Sequence, residues 1–143
     1  MEDLWPDDMD FSVTITPVSI LREQASNLGR KTRNVIQARV IREPDVPSKG
    51  FCYEFQLVVP ALGPYNYSLF SMSYDVTMYP VTIRGDRDVI QEIGEGQNEI
   101  VADSEDDFKE RLRRILGSRK TRTVIRALMS QVAEDDSEHS ETM

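Results

Sequence analysis

One histidine, one cysteine and one tryptophan are all that 143 residues offer of those side chain types. The histidine, His139, stands among acids near the end of the chain, in a stretch expected to be solvated. Zinc sites of the HExxH kind, and any site built on two histidines, are therefore excluded. A Ser-His-Asp or Cys-His arrangement would have to carry its base on that solvated segment, which argues against nucleophilic catalysis. Cys52 alternates with Tyr53 in a strand-like run and suits a buried structural thiol better than a nucleophile. A lone cysteine closes no internal disulfide, so a reducing compartment and a cytoplasmic location are expected. No metal, no cofactor and no enzymatic activity are expected.

Long apolar runs are missing as well. The longest mostly apolar run, Leu57 to Leu62, falls far short of the roughly 20 residues of a membrane helix. No basic start leads into an apolar stretch, so neither a membrane partner nor a secretory leader is expected. Glycine-rich loops are missing too. In Gly117-Ser118-Arg119-Lys120-Thr121, arginine stands before the lysine, where a phosphate-binding loop requires glycine. Asp86 and Asp88 start no calcium loop, because Ile90 and Gln97 occupy later ligand positions. Residues 51–83 hold no Lys or Arg, so Tyr53, Tyr65 and Tyr67 read as packing aromatics and not as a base-stacking platform.

Charge of one sign is absent from both ends. Residues 1–10 carry Glu2, Asp3, Asp7, Asp8 and Asp10, and residues 134–143 carry Glu134, Asp135, Asp136, Glu138 and Glu141, with no Lys or Arg in either. Those acids exceed the whole net charge of −8, so the body of the chain is slightly basic and its low isoelectric point describes its ends. Leu4 and Trp5 sit among the first acids, a composition typical of linear binding segments. The competing expectation is that Trp5 anchors the end of the chain on its own domain.

The remaining pattern is regular. Phe11, Val13 and Ile15 alternate with Ser12 and Thr14 and predict a short strand. Thr16-Pro17 opens a helix with the stripe Val18, Leu21, Ala25 and Leu28, and Gly29 is the expected stop. Strands are predicted over 34–41, 51–59, 65–74 and 78–83, the last with Pro80 at an edge or a bulge. Residues 86–96 fit helix and strand equally well, and 99–102 suit a last short strand. Two amphipathic helices then follow, broken at Gly117-Ser118, with Ser104 as the cap of the first. An α+β fold is expected, in which an antiparallel β-meander of about four to six strands is packed on one face by an N-terminal helix and a C-terminal pair of amphipathic helices. Residues 1–10 form an acidic flexible segment, residues 11–134 a single domain, and residues 135–143 an acidic disordered tail.

The two C-terminal helices differ in how they use charge. In the first, Glu105–Lys109, Asp107–Arg111 and Glu110–Arg114 lie four apart in the favourable order, so its bases need no ligand. In the second, Arg119, Lys120 and Arg122 stand in the first turn, where the helix dipole disfavours cations. No acid lies three or four positions from them or from Arg126 within that helix. Arg119, Arg122 and Arg126 share a stripe about 125° from the apolar one. Their charge is expected to be met within the chain, by the acidic tail after Glu134, the N-terminal acids or the Asp86–Glu99 segment; failing that, Arg119, Lys120, Arg122 and Arg126 are the candidate partner- or anion-binding residues, and Leu4 and Trp5 the candidate anchor of a linear motif. The expected role is a non-catalytic interaction or adaptor domain that binds another protein, with self-association into a homo-oligomer in the same class. A nucleic-acid-binding accessory role through the basic stripe is the alternative.

Overall fold

A computed structural model describes residues 1–44, 50–94 and 98–141 of the chain, residues 138–141 through their backbone alone. Regular structure begins at Thr16-Pro17. Thr16 is extended, with φ −99° and ψ 157°, and its hydroxyl accepts from the Ser19 amide at 3.1 Å while its own amide donates to Ser19 Oγ at 3.1 Å. This reciprocal pair satisfies two amides that the first turn cannot, and Pro17 has none to satisfy. Helix α1, Pro17–Lys31, follows and buries Val18, Ile20 and Leu21. It does not stop at Gly29, which lies buried in its last turn. The exit is made by Thr32, whose amide reaches the Leu28 carbonyl at 3.1 Å, and by Arg33 and Asn34 at φ 52° and 64°. Those two left-handed residues delay the next strand, so β1 is Gln37–Arg42 and not 34–41.

Strands β2 (Phe51–Val59), β3 (Tyr65–Tyr74), β4 (Val81–Gly85) and β5 (Ile100–Ala102) complete the sheet. Every neighbouring pair is antiparallel and the order is that of the chain, β1-β2-β3-β4-β5, so the expected meander is the sheet observed. Pro80, expected inside a strand, stands just before β4. Met78 takes φ 74° in the preceding turn, and the strand starts only at Val81, so β4 keeps its ladder amides and lies inside the sheet. The bulge is in β3 instead, where Leu69 is the extra residue between the Phe55–Phe70 and Gln56–Ser68 pairs. Gly85 pairs with Phe70 at that point.

Register aligns Tyr53, Met72, Ile83 and Ile100 in one row across four strands, and Val40, Phe55 and Phe70 in the next. The Phe55 and Phe70 rings stack with centroids 5.2 Å apart, and Tyr53 stacks on Tyr74 at 6.0 Å. Helices pack on this face. Residues 86–96, open in the sequence, contain helix α2, Arg87–Ile93, capped by Asp86 and burying Val89, Ile90 and Ile93. Helix α3, Glu105–Leu116, buries Phe108, Leu112 and Ile115. Ser104 Oγ accepts from the Asp107 amide at 3.1 Å as expected, while the Asp107 carboxylate reaches back to the Asp103 amide. Helix α4, Arg119–Glu141, buries Leu128 and half-buries Val124, Ile125 and Val132.

The backbone of α4 is helical through Glu141, beyond the end of its apolar stripe. No Gly or Pro interrupts 134–141, and the Gln131 amide bonds the Asp135 carboxylate at 3.4 Å one turn on, so the helix outlasts its apolar stripe. Phe11–Ile15, expected as a strand, is in no sheet. Its alternation is that of a strand, but no neighbouring strand completes a ladder.

Candidate functional site

The junction of α3 and α4 fixes where the predicted cations point. Ser118 and Thr121 are both buried. The Thr121 amide donates to Ser118 Oγ at 3.3 Å, and Thr121 Oγ1 donates to the Ile115 carbonyl at 2.8 Å. This locks the first turn of α4 against the end of α3 and turns it toward α2. The Glu92 carboxylate on α2 then accepts the Arg119 amide at 3.1 and 3.3 Å. Lys120 Nζ lies 3.9 Å from Oδ2 of both Asp86 and Asp88. The first turn of α4 has no acid of its own, so α2 supplies the negative charge that its dipole favours.

Arg122 is also engaged. Its Nε donates to the Gly117 carbonyl at 2.8 Å, a contact with the terminal peptide of α3. Thus Arg119, Lys120 and Arg122 each meet a partner that no helical wheel contains, because the partners lie in α2 and in the α3–α4 turn. Arg126 is exposed. Neither its guanidinium nor that of Arg119 has an acidic partner among the described residues. The stripe Arg119–Arg122–Arg126 is therefore broken in the middle, with Arg122 turned back on its own backbone.

Between α2 and α4 lies an open cleft of about 530 Å³, lined by Asp88, Gln91, Glu92, Arg119, Lys120 and Thr123. Its sign is mixed. Asp88, Gln91 and Glu92 lie within the Asp86–Glu99 segment that the sequence offers as one partner for these cations, without singling out Gln91 or Glu92. Their spacing on a helical turn would have shown them together, had residues 86–96 read unambiguously as helix. Tyr67 sits half-buried near the cluster, and its phenol pKa is raised, first by burial and then by the Asp86 charge. Tyr53 and Tyr74 are buried under the helices, Tyr67 is half-buried and Tyr65 is exposed, so the aromatic face of the sheet is core only in part. Among the described residues no group of three His, Cys, Asp or Glu could hold a metal ion, and no helix is long and apolar enough to cross a membrane.

The first fifteen residues form an exposed arm. Leu4 is 84% exposed, Trp5 68%, Phe11 78%, Val13 96% and Ile15 58%. Trp5 therefore does not anchor the arm on the domain. The arm's hydrogen bonds among the described residues are local: the Trp5 amide to Asp3, the Met9 amide to the Pro6 carbonyl, and the Ser12 amide and hydroxyl to Asp10 at 2.8 and 2.6 Å. The last two hold the Asp10 carboxyl below its ordinary pKa. No protein-family model matches this chain, and no curated protein or solved structure is significantly similar to it.

Proposed function

We propose that this chain is a non-catalytic interaction domain that binds another protein through its acidic, apolar N-terminal arm. The observation that carries the reading is the exposure of Leu4, Trp5, Phe11, Val13 and Ile15 on one continuous segment. Large apolar side chains scattered singly on a surface are ordinary, but a run of them within one arm marks a contact surface. The surrounding acids keep such a segment in water until it docks. Leu4 and Trp5 are the anchors, since tryptophan contributes more than most side chains when it fills a partner's pocket. The single buried thiol, Cys52, suits a cytoplasmic location.

The basic residues of α4 support a weaker second reading, nucleic-acid binding, through the unmatched guanidinia of Arg119 and Arg126. A polyanion entering the adjoining cleft would meet the Asp88 and Glu92 carboxylates, which favours the first reading. Affinity capture followed by mass spectrometry tests both. The intact chain should retain a protein that Leu4→Ala/Trp5→Ala and a version lacking residues 1–15 lose. Equal recovery by all three defeats the arm reading. Recovery of nucleic acid that is lost with added salt and in Arg119→Glu/Arg126→Glu would establish the second.

A further inference from the structure

We propose that residues 11–15 add a strand to the open edge of β1 in a second copy of this chain, producing a dimer by exchange of arms. This deepens the reading of the arm as a binding segment and rests on it.

β1 is one of the two edge strands of the sheet, and at six residues the longer one. The Glu43 amide donates to the Cys52 carbonyl at 2.9 Å, in register with the Arg42–Tyr53 pair beside it. Hydrogen-bonded pairs alternate along an antiparallel ladder. Gln37, Arg39 and Ile41 therefore turn their amides toward β2, while Ala38, Val40 and Arg42 turn theirs outward. Among the described residues, no group bonds those three outward amides or their carbonyls. β1 contains neither proline nor a bulge; of the usual devices that block an edge it carries only charge, Arg39 on one face and Arg42 on the face of Ala38 and Val40.

The arm is built to fill such an edge. Phe11-Ser12-Val13-Thr14-Ile15 alternates over five residues of strong β propensity. Laid beside β1, Phe11, Val13 and Ile15 would extend the apolar face that carries Ala38 and Val40. Ser12 and Thr14 would then continue the polar face that carries Arg39. The charges also match. β1 carries Arg39 and Arg42, with Arg30, Lys31 and Arg33 before it and a single acid, Glu43, directly after it, whereas the arm carries Asp7, Asp8 and Asp10 close to its apolar stretch and no base.

The arm does not lie on the chain's own β1, since Phe11, Val13 and Ile15 are exposed. Only Thr16 separates Ile15 from Pro17, the first residue of α1. Thr16 is also held by its capping box with Ser19, which limits how far Ile15 can turn toward its own sheet. A second copy imposes no such condition, and a two-fold exchange satisfies both β1 edges at once.

Sedimentation and hydrogen exchange on the intact chain test this. A dimer is expected, with the amides of Ala38, Val40 and Arg42 protected. Deleting residues 1–15 should give a folded monomer in which those amides exchange about tenfold faster or more. Val13→Pro, which removes a ladder amide, should also give a monomer, while Val13→Thr should remain dimeric. A monomeric intact chain with unprotected β1 amides overturns the exchange. So does a monomer whose β1 amides lose protection on deletion of the arm, since that places the arm on its own sheet. So does a dimer that survives the deletion. A monomer whose arm still captures a foreign protein overturns the exchange and leaves the binding role standing. A monomer whose arm captures nothing overturns both.

Discussion

Thr16 and Ser19 exchange hydrogen bonds across the first turn of α1, each side chain accepting from the other's amide. The pair both starts the helix and sets the direction in which the arm leaves it. Thr16→Ala should cost about 1 kcal/mol in urea unfolding, and Thr16→Ser should recover most of it. An unchanged midpoint in Thr16→Ala would show that the box contributes nothing.

Glu92 holds the start of α4 from another helix. Glu92→Gln removes the charge that faces the dipole and should cost about 0.5–1 kcal/mol. Lys120→Met should cost less than about 1 kcal/mol, because its partners are 3.9 Å away and partly exposed. A double-mutant cycle with Asp86→Asn would measure that coupling, and added salt should reduce it.

Gly85 sits where the β3 bulge brings two strands together. A Cβ there would meet Phe70 Cβ at 3.0 Å and the Leu69 carbonyl oxygen at 3.1 Å. Gly85→Ala should therefore destabilise the fold by about 1–3 kcal/mol, read from thermal unfolding. A neutral Gly85→Ala would mean that the bulge shifts to make room.

Tyr74 makes stability sensitive to alkali. Burial, and then the neighbouring Tyr53, push its phenol from 10.0 up to about 12 in the folded chain. The folded state thus keeps a proton that the unfolded chain loses. The contribution is complete below pH 10, and stability falls as pH rises from there toward about 12. In Tyr74→Phe the slope over that window should be shallower. Equal slopes would assign the effect to other groups.

Trp5 is the only tryptophan, so intrinsic tryptophan fluorescence reports on the arm alone. Leu4→Ala and Trp5→Ala should change unfolding free energy by no more than about 0.5 kcal/mol. Emission of the dilute protein should show little change through the transition that circular dichroism follows. A large loss of stability would instead place Trp5 against the domain.

Much of the fold was legible in local chemistry. The alternation of Tyr53, Phe55, Leu57 and Val59 and the short links between successive strands led directly to the meander. Thr16-Pro17 and Ser104 marked helix starts where they occur. The errors lie where a local signal was outweighed by its neighbours. Gly29 looked like a stop, but Arg33 and Asn34 supply the left-handed turn. Pro80 marked an interruption, but the strand begins after it and lies inside the sheet.

The candidate site was less legible than the fold. Local spacing identified Arg119, Lys120, Arg122 and Arg126 as cations without helical partners, and Leu4 and Trp5 as apolar residues among acids. It could not show that Glu92, Asp86 and Asp88 face the first turn of α4, because they lie far back in the chain. Nor could it show whether Trp5 finds a pocket on its own domain. Which residues are apolar, charged or capped along each element follows from local order alone, since helix and strand periodicity are properties of adjacent residues. Only the tertiary structure decided which of those groups are satisfied. That depends on packing between distant elements, which here sets Lys120 against Asp86 and Asp88, turns Arg122 onto the Gly117 carbonyl, and leaves the arm and the outer edge of β1 open.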